Sequence, residues 1–318
     1  MIKLSDPILV LGAGSIGERH IKILQKLGYQ NIWVYRQRNF PLRSVTENSI
    51  QTFGNLDQIE TIQPKAAFIC TPTSQHLEQA LFCTKHKIHV LIEKPLSNKL
   101  TGFNDLKYLS NNTHIQIAYM LRYHPFFESV KQDAETQNSG KLISMQSYWG
   151  EYLPDWHPWE DYRNSYAAKQ EMGGGVSLTL SHDVDLLNWL SGSIVKNWHT
   201  MKNKNSSLLI DVESGSDISI AYENGVTGHC HLNFHEKIPR RWYRFVFENA
   251  SIEIDYLKSE LTTYSYKGML LQSLPDFDRN ELYELQTIDF FRQINEKLFP
   301  ATSIKNLEES KIIISICQ

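Results

Sequence analysis

A glycine-rich turn near the N-terminus places the strongest constraint on how this chain can fold. The run GAGSIG at residues 12–17 follows four apolar residues, Ile8 to Leu11, and opens a stretch with apolar positions at helical spacing up to Gly28. A buried strand, a tight glycine turn and an amphipathic helix, in that order, form the first half of a βαβ unit. The sequence therefore predicts a parallel sheet that begins near residue 8.

The same glycine spacing suits the pyrophosphate of a dinucleotide. The first glycine allows a tight turn, the second lets the backbone approach the pyrophosphate, and the third permits close packing of helix on strand. The amino end of the helix adds a favourable field for negative charge. A glycine-rich turn without a ligand is the alternative, but the strand before it and the helix after it favour a dinucleotide.

Apolar strand-like segments alternate with helical segments over the first part of the chain. The strand-like segments lie at residues 31–36, 66–70, 90–92 and 115–119, with helical stretches at 75–87 and 103–110. Such alternation is typical of a doubly wound parallel sheet. We expect a Rossmann dinucleotide-binding domain over residues 1–121.

The remainder of the chain, residues 122–318, has a different pattern. An aromatic-rich loop at 148–166 leads to a helix from about Thr179 to Leu190, and alternating segments follow between residues 217 and 256. Two amphipathic helices are predicted near 282–298 and 304–316. Alternating segments joined by short turns are typical of antiparallel strands, so this part is predicted to be an α+β domain.

Composition and charge exclude several classes of protein. The chain has 318 residues, enough for about two domains, and a formal net charge of -3 from 32 Lys and Arg against 35 Asp and Glu. Without a basic field, neither nucleic acid nor an anionic membrane is an expected partner. Four scattered cysteines without a CxxC pair indicate a reduced, metal-free, cytoplasmic protein.

Two arginines after the second predicted strand indicate which dinucleotide to expect. An NAD site usually carries Asp or Glu about 20 residues beyond the glycines, whereas Arg accommodates the 2′-phosphate of NADP. This chain offers Arg36 and Arg38 there, and no acidic residue lies between Arg19 and Glu47. NADP is the preferred cofactor and NAD the alternative, unless both arginines are solvated loop charges.

A second group of residues carries acid–base chemistry. Lys94 follows a predicted strand at the carboxyl edge of the sheet, where open α/β folds bind their ligands. Far downstream, His182 opens a helix on which it shares one face with Asp185 and Trp189. The helix field disfavours the charged imidazole and the neighbouring aspartates favour it, so His182 is expected to titrate near neutrality. A capping or core histidine is the alternative.

Four motifs, in this order, resemble the Gfo/Idh/MocA family of nicotinamide-dependent sugar oxidoreductases. They are GAGSIGERH at 12–20, CTPTSQH at 70–76, EKPL at 93–96 and GGGVSLTLSHDVDLLNWLSG at 173–192. The resemblance implies an α/β fold class. It pairs an N-terminal Rossmann doubly wound parallel sheet with a C-terminal α+β domain that has an open, mainly antiparallel sheet. That second domain would bind substrate and often forms the interface of a homo-oligomer, here a dimer or tetramer.

The resemblance also implies which residues surround the cofactor. The pyrophosphate would be held by Gly12, Gly14, Ser15, Ile16 and Gly17. The cofactor channel would be lined by Thr71, Pro72, Thr73 and His76, with Glu93 and Lys94 at the nicotinamide ribose. In relatives the bond that corresponds to Lys94-Pro95 is cis.

One departure from the family pattern bears on proton transfer. Many members carry an Asp upstream of the histidine in a D-x-G-x-H pattern, whereas this chain has Thr179 and a segment one residue shorter. Threonine cannot act as an acid or base in that role. The shorter SHxxD form, with RYHP at 122–125 and LPDWHPWEDY at 153–162, resembles a subgroup associated with bacterial surface-sugar and nonulosonic-acid gene clusters.

The roles expected of individual residues follow from the reaction. Oxidation of a secondary alcohol needs a hydride acceptor and a base for the hydroxyl proton. We hypothesise that His182 exchanges this proton while Lys94 orients the oxygen and stabilises its developing charge.

Aromatic faces pack on sugar rings, and Arg122, His124 and Arg163 could hold an anionic group. The complete set of predicted substrate-binding residues is Arg122, His124, Trp156, His157, Tyr162, Arg163 and Asp185. A flap that packs on its own domain or on a partner subunit is the alternative for residues 148–166.

The expected function is hydride transfer to or from a hydroxyl or carbonyl carbon of a sugar, a sugar acid or a nucleotide-activated sugar. One alternative is a sugar hydrolase or lyase that retains NAD and works by transient oxidation. Another is a non-catalytic module that binds NAD(P).

Overall fold

The computed structural model describes residues 1–37 and 41–318, so the predicted site residue Arg38 lies outside the described residues. The chain divides into two compact units. The first unit comprises Met1–Ala118 and Asn280–Lys311, and the second comprises Tyr119–Arg279 and Ile312–Gln318.

A six-stranded parallel sheet forms the centre of the first unit. Its strands are β1 (Ile8–Leu11), β2 (Ile32–Tyr35), β3 (Gln51–Phe53), β4 (Ala66–Ile69), β5 (His89–Ile92) and β6 (Ile115–Ile117). They are arranged in the order β3-β2-β1-β4-β5-β6, with parallel pairing throughout. The order reverses between β1 and β4, which is where sheets of this kind bind dinucleotides. The predicted Rossmann sheet is confirmed.

Helices connect these strands. They are α1 (Ser15–Lys26), α2 (Ile59–Ile62), α3 (Thr73–Lys85) and α4 (Phe103–Leu109). Strands β1 and β4 are buried at every residue, which explains why they read as unbroken apolar runs. Strand β3 was not predicted, because Gln51 and Thr52 are exposed and the strand has no apolar run.

An eight-stranded, mainly antiparallel sheet forms the second unit. Its strands are β7 (Leu142–Tyr152), β8 (Val195–Asn203), β9 (Gly215–Tyr222), β10 (Thr227–Asn233), β11 (His235–Phe247), β12 (Ala250–Asp255), β13 (Glu260–Ser265) and β14 (Gly268–Ser273). The order is β14-β13-β12-β11-β7-β10-β9-β8, and only β7 and β10 pair in parallel. The predicted C-terminal fold class is confirmed. Residues 148–152 belong to β7, so the loop predicted at 148–166 begins only after residue 152.

Three helices accompany this sheet: α5 (Pro125–Thr136), α6 (Val176–Thr179) and α7 (His182–Ser191). The single helix predicted from Thr179 to Leu190 is therefore two helices, with His182 at the start of the second. Side chains on one sheet face are buried, including Met145 and Cys230, while His229 on the other face is exposed.

Two helices end the chain, α8 (Asn280–Asn295) and α9 (Ala301–Cys317). Phe290 and Phe291 of α8 join the core of the first unit, where Phe291 stacks on Tyr29 at 4.6 Å between ring centroids. The structure therefore groups residues 280–311 with the first unit, whereas the sequence pattern places them in the domain that starts at residue 122. Periodicity reveals that a helix has an apolar face, but not which sheet that face covers.

Among the described residues, no helix has both the length and the apolar character that a membrane span requires.

Candidate functional site

The glycine turn of the first unit has one open position and two tightly packed ones. A Cβ on Gly12 would lie 2.9 Å from the carbonyl oxygen of Cys70, and the φ of Gly12 is +97°. A Cβ on Gly17 would lie 2.0 Å from the carbonyl oxygen of Gly12. A Cβ on Gly14, the residue before α1, would have no atom of the described residues within 4 Å, its two chain neighbours apart. The turn thus leaves space at the helix amino end, where a pyrophosphate fits.

An arginine that the sequence patterns do not single out lies beside this turn. The Glu18 carboxylate in α1 accepts hydrogen bonds from the backbone N–H of Arg43, at 3.1 Å, and of Ser44, at 2.6 Å. Burial acts to raise the pKa of Glu18, but the bonds from Ser44 and Arg43 outweigh it and hold this pKa below its ordinary value. The Arg43 guanidinium, anchored in this way, lies 3.3 Å from the hydroxyl of Ser15. The turn therefore has a cation next to it.

Arg36, predicted to bind the cofactor, lies just after β2, and its side chain is largely buried. Its guanidinium donates to both carboxylate oxygens of Glu47, at 3.0 and 3.2 Å. The Glu47 side chain is 57% exposed. The first acidic residue after the two arginines is thus paired with Arg36 and neutralises its charge.

The loops after β4 and β5 are joined by a buried histidine. His76 in α3 places Nδ1 2.9 Å from the carbonyl oxygen of Pro95 and Nε2 2.7 Å from the carbonyl oxygen of Thr71. Burial lowers the pKa of His76, against the effect of both carbonyls. The Thr71 hydroxyl donates to Gln79 at 2.8 Å. His76 therefore positions these two loops.

A second buried histidine holds the segment that contains Lys94. His20 in α1 lies 2.9 Å from the carboxylate of Glu93. Burial acts to raise the pKa of Glu93, but the hydrogen bond and charge of His20 outweigh it, so this pKa lies below its ordinary value. Lys94 is half-buried, and its bond to Pro95 is cis, as the resemblance implies. Pro72 precedes α3 and Thr73, buried, begins it.

His182 lies at the start of α7 in the second unit and is 3% exposed. Its imidazole is stacked against Trp149 of β7 at 6.5 Å and meets the edge of the Tyr119 ring at 5.9 Å, both between centroids. Thr179, in the place of the family aspartate, is buried at the end of α6. The imidazole is thus held between aromatic rings.

Asp185, one turn after His182, is fully buried and paired with Arg122. The guanidinium donates through Nε at 3.0 Å and through a terminal nitrogen at 2.5 Å to the two carboxylate oxygens. The Cζ of Arg122 also lies 5.8 Å from the ring centroid of Tyr119. Trp189, expected on the same face, has the Lys131 ammonium 5.8 Å from its ring centroid. The structure brings Arg122, Asp185, Tyr119 and His182 together.

His124 is a buried helix cap. It is 1% exposed, precedes α5, and accepts the backbone N–H of Phe126 on Nδ1 at 3.2 Å. Burial, with a smaller effect of Arg241, lowers its pKa to about 4, so the imidazole is neutral at pH 7. The structure thus shows a neutral helix cap at this position, and the anion contact expected of His124 stays a prediction.

Residues 153–164 form short turns that pack on the second unit. Trp156 meets the edge of Phe234 at 5.3 Å, and His157 contacts the ring of Trp159 at 5.0 Å. The Tyr162 hydroxyl accepts the backbone N–H of Leu209 at 3.1 Å. Arg163, with its side chain 53% exposed, forms an ion pair with Asp161. Trp159 stays 57% exposed, so part of this segment is available to a ligand or partner.

A buried ion pair next to His182 could not be found from the sequence. Arg241 of β11 and Asp183 of α7, both almost completely buried, lie 2.6 Å apart, and the Tyr243 hydroxyl contacts both. Burial raises the pKa of Asp183, and Arg241 limits the rise. The two positions are 58 residues apart and share no motif, so only the tertiary structure reveals this pair.

In the parts of the chain described here, no cluster of three or more His, Cys, Asp or Glu has the geometry of a metal site. All four cysteines are buried thiols.

The first unit has a parallel sheet with an open glycine turn where the strand order reverses, and the second unit has a mainly antiparallel sheet. These features define a two-domain dinucleotide-binding protein. More specifically, the chain belongs to the Gfo/Idh/MocA family. A family model described as an oxidoreductase family with an NAD-binding Rossmann fold matches residues 7–120, and the model of the family's C-terminal domain matches residues 127–253.

Individual relatives are distant. The chain is 21% identical to the uncharacterized oxidoreductase YrbE of Bacillus subtilis, over 96% of this chain and 83% of that protein. It is 25% identical to a myo-inositol 2-dehydrogenase of Thermotoga maritima, over 65% of this chain and 60% of the relative. The crystal structure of GenD2 from gentamicin A biosynthesis, in complex with NAD, superimposes with a TM-score of 0.82 at 17% identity, covering 100% and 93% of the two chains.

Proposed function

We propose that this protein is an NAD(P)-dependent oxidoreductase that transfers a hydride to or from a hydroxyl or carbonyl carbon of a sugar-type substrate. The observation that carries the proposal is the glycine turn, where Gly14 faces open space while Gly12 and Gly17 are packed against backbone. A turn without a ligand has no need of a glycine at position 14, since a side chain would fit there. Myo-inositol, named for one relative, is a polyol of the proposed kind.

The residues of the first unit fit a dinucleotide. Backbone N–H groups at Gly14, Ser15, Ile16 and Gly17 lie at the amino end of α1 and would hold the pyrophosphate, with Gly12 making the turn. Thr71, Pro72 and Thr73 would line the cofactor site, while His76 and Glu93 keep the loops after β4 and β5 in place. The bound nicotinamide supplies the hydride acceptor or donor.

We assign the proton transfer to His182 and the orientation of the reacting oxygen to Lys94. His182 is held between the rings of Tyr119 and Trp149, and a fixed imidazole is what general acid–base catalysis requires. An ammonium group such as that of Lys94 stabilises negative charge that develops on the oxygen. Thr179 takes no part in acid–base chemistry under this proposal, so His182 acts without the family's upstream aspartate.

NADP is the proposed preferred cofactor. Arginine beyond β2 accommodates a 2′-phosphate. Arg36 occupies that position and would exchange its exposed partner Glu47 for the phosphate. Arg38 follows it in the sequence, and Arg43 adds a guanidinium 3.3 Å from the Ser15 hydroxyl. We also propose a cytoplasmic homo-oligomer, and we place the chain with the SHxxD subgroup associated with surface-sugar clusters on its own motifs.

The substrate is proposed to be a sugar, a sugar acid or a nucleotide-activated sugar, bound by the second unit. Trp156, His157, Tyr162 and Arg163 belong to a segment that offers aromatic faces and polar groups, as sugar sites do. Arg122 and Asp185 already bind each other and would present an oriented guanidinium edge. His124 stays in the proposed set, where as a neutral cap it would contribute no positive charge of its own.

Turnover measurements on a panel of polyols, sugar acids and nucleotide sugars, with NADP+ and NAD+, test this proposal. We expect nicotinamide absorbance to change with at least one substrate, and His182→Asn and Lys94→Ala each to reduce kcat by about 100-fold or more. Exposed His229→Asn and Lys99→Ala are matched controls that keep full activity. Full turnover in both site variants would refute the assigned roles. Turnover with a tightly retained nucleotide and no net absorbance change would refute simple hydride transfer in favour of transient oxidation.

A further inference from the structure

The buried ion pair between Asp183 and Arg241 is connected to the proposed general base by two routes. Asp183 directly follows His182 in the first turn of α7. The Cζ of Arg241 also lies 3.5 Å from the ring centroid of Trp149, and that ring is stacked against the His182 imidazole. One guanidinium thus contacts both a neighbour of His182 in the chain and a neighbour in space.

Stability alone does not account for such a pair. Removing two charges from water costs about as much as their attraction returns, and apolar replacements of similar volume are often equally stable. Here the arginine is 3% exposed and the aspartate fully buried, so the desolvation cost is near its maximum. What the pair does provide is fixed geometry, because a planar guanidinium binds and stacks only in defined orientations.

Trp149 depends on the same guanidinium for its position. Its indole Nε1 is buried and has no hydrogen-bond partner among the described residues, which is an unfavourable state for a buried donor. The ring is therefore held through its face, on which the Arg241 guanidinium lies at stacking distance. The Tyr256 ring, with its centroid 4.5 Å from the same Cζ, confines the guanidinium further.

We propose that Arg241 is a positioning residue for His182, acting through the Asp183 carboxylate and the Trp149 ring. The inference rests on the proposed function, because it assumes that His182 exchanges the substrate proton. Arg241 itself touches no reacting atom under this proposal. Its guanidinium fixes the first turn of α7 and the ring that packs against the imidazole.

The test compares two neighbouring arginines on β11. Arg241→Lys keeps the charge but loses the planar stack and the second donor. Arg240→Lys is the matched control, since the Arg240 side chain is 71% exposed and lies 3.9 Å from Glu236. We expect R241K to lower kcat by about 100-fold with unchanged nucleotide affinity, because a displacement of about 1 Å costs that much. We expect R240K to stay within about twofold of wild type.

A second readout does not depend on activity. In protein labelled at its histidines, the ring signals of His182 are identified by NMR as those missing from His182→Asn. We expect R241K to move or broaden these signals and R240K to leave them in place. Unchanged His182 signals in R241K, or kcat within about twofold of wild type, would overturn the positioning role. Moved signals in a protein without any turnover would support positioning and refute the proposed function.

Arg241→Lys leaves a changed pair in the core, so folding is checked by the unfolding midpoint. If R241K does not fold, the double variant Asp183→Asn with Arg241→Met removes both charges, which is often tolerated. The His182 signals of that variant then decide between the two outcomes. They are displaced if the pair positions the imidazole and unmoved if it does not.

Discussion

Gly17 packs so closely on Gly12 that a Cβ at position 17 would lie 2.0 Å from the Gly12 carbonyl oxygen, whereas position 14 between them is open. Under the proposed function, the same motif contains two glycines that are needed for packing, Gly12 and Gly17, and one, Gly14, that is needed for the ligand. A substitution at a packed glycine should lower stability, whereas a substitution at Gly14 should lower nucleotide affinity and leave stability unchanged.

Gly14→Ala should leave the unfolding midpoint unchanged and weaken NADPH binding by about tenfold or more, a loss of about 1.4 kcal/mol. Apart from its two chain neighbours, the added methyl group meets no atom of the described residues within 4 Å, and it enters the space assigned to the pyrophosphate. Calorimetric titration measures the affinity. Gly54→Ala, at an exposed position with only one contact at 3.9 Å, is the control. NADPH affinity equal to that of wild type in G14A would contradict the assigned pyrophosphate site.

Arg43→Ala should weaken NADPH binding by about 10- to 100-fold, since a charge-assisted hydrogen bond contributes about 1.5–3 kcal/mol. NADH, which lacks the 2′-phosphate, should lose much less. The two titrations separate a phosphate contact from general damage to the fold. Lys22→Ala removes an exposed cation from α1 and should change neither affinity. An equal loss for both nucleotides would assign Arg43 to the shared part of the cofactor.

Asp185→Asn should lower the free energy of unfolding by about 3 kcal/mol, because it leaves the Arg122 guanidinium without the charge of a buried partner. Glu47→Gln breaks the pair with Arg36 at its exposed end and should cost at most about 1 kcal/mol. Urea unfolding at pH 7 measures both changes. Equal costs for the two variants would mean that burial of Asp185 does not set the strength of its pair.

The lowered pKa of His124 predicts that the free energy of unfolding depends on pH. Its pKa is about 4 in the folded chain against an ordinary 6.5, so between these values the unfolded chain binds more protons. The contribution to stability is complete above pH 6.5 and is lost as the pH falls towards 4. His124→Asn keeps a capping acceptor and should reduce the slope of unfolding free energy against pH by up to about 1.4 kcal/mol per pH unit.

His89 and His114 have similarly lowered pKa values of about 4, so a pH dependence remains in that variant. Exposed His199→Asn controls for the loss of an imidazole. Parallel slopes for wild type and H124N between pH 6.5 and 4 would show that His124 is not neutral in the folded protein.

Much of the fold could be predicted because its information is local. Buried strands such as β1 and β4 read as unbroken apolar runs, and the glycine turn is recognisable from six residues. Strand β14 could not be found, since each of its residues is exposed and nothing alternates. The sequence did not predict that α8 packs in the core of the first unit. Phe290 and Phe291 indicate that the helix has an apolar face, but not which sheet that face covers.

Some residues of the candidate site could likewise be predicted from local motifs, and others could not. Lys94 and His182 lie in contiguous motifs, so sequence alone nominates them. Arg43 and Arg241 lie in segments without motifs. Their proposed roles depend on contacts with Ser15 and Asp183, which are far away in the chain. The capping role of His124 was not predicted, because a histidine before a proline looks the same whether it caps a helix or meets a substrate.

The most direct test of the proposed function is a calorimetric titration of the purified protein with NADPH and with NADH. We predict one nucleotide bound per chain, reversibly, with NADPH bound more tightly and its advantage reduced in Arg43→Ala. Tighter binding of NADH would overturn the NADP assignment alone. Failure of a nucleotide-free protein to bind either one would contradict the central claim that this chain is a nicotinamide-dependent oxidoreductase.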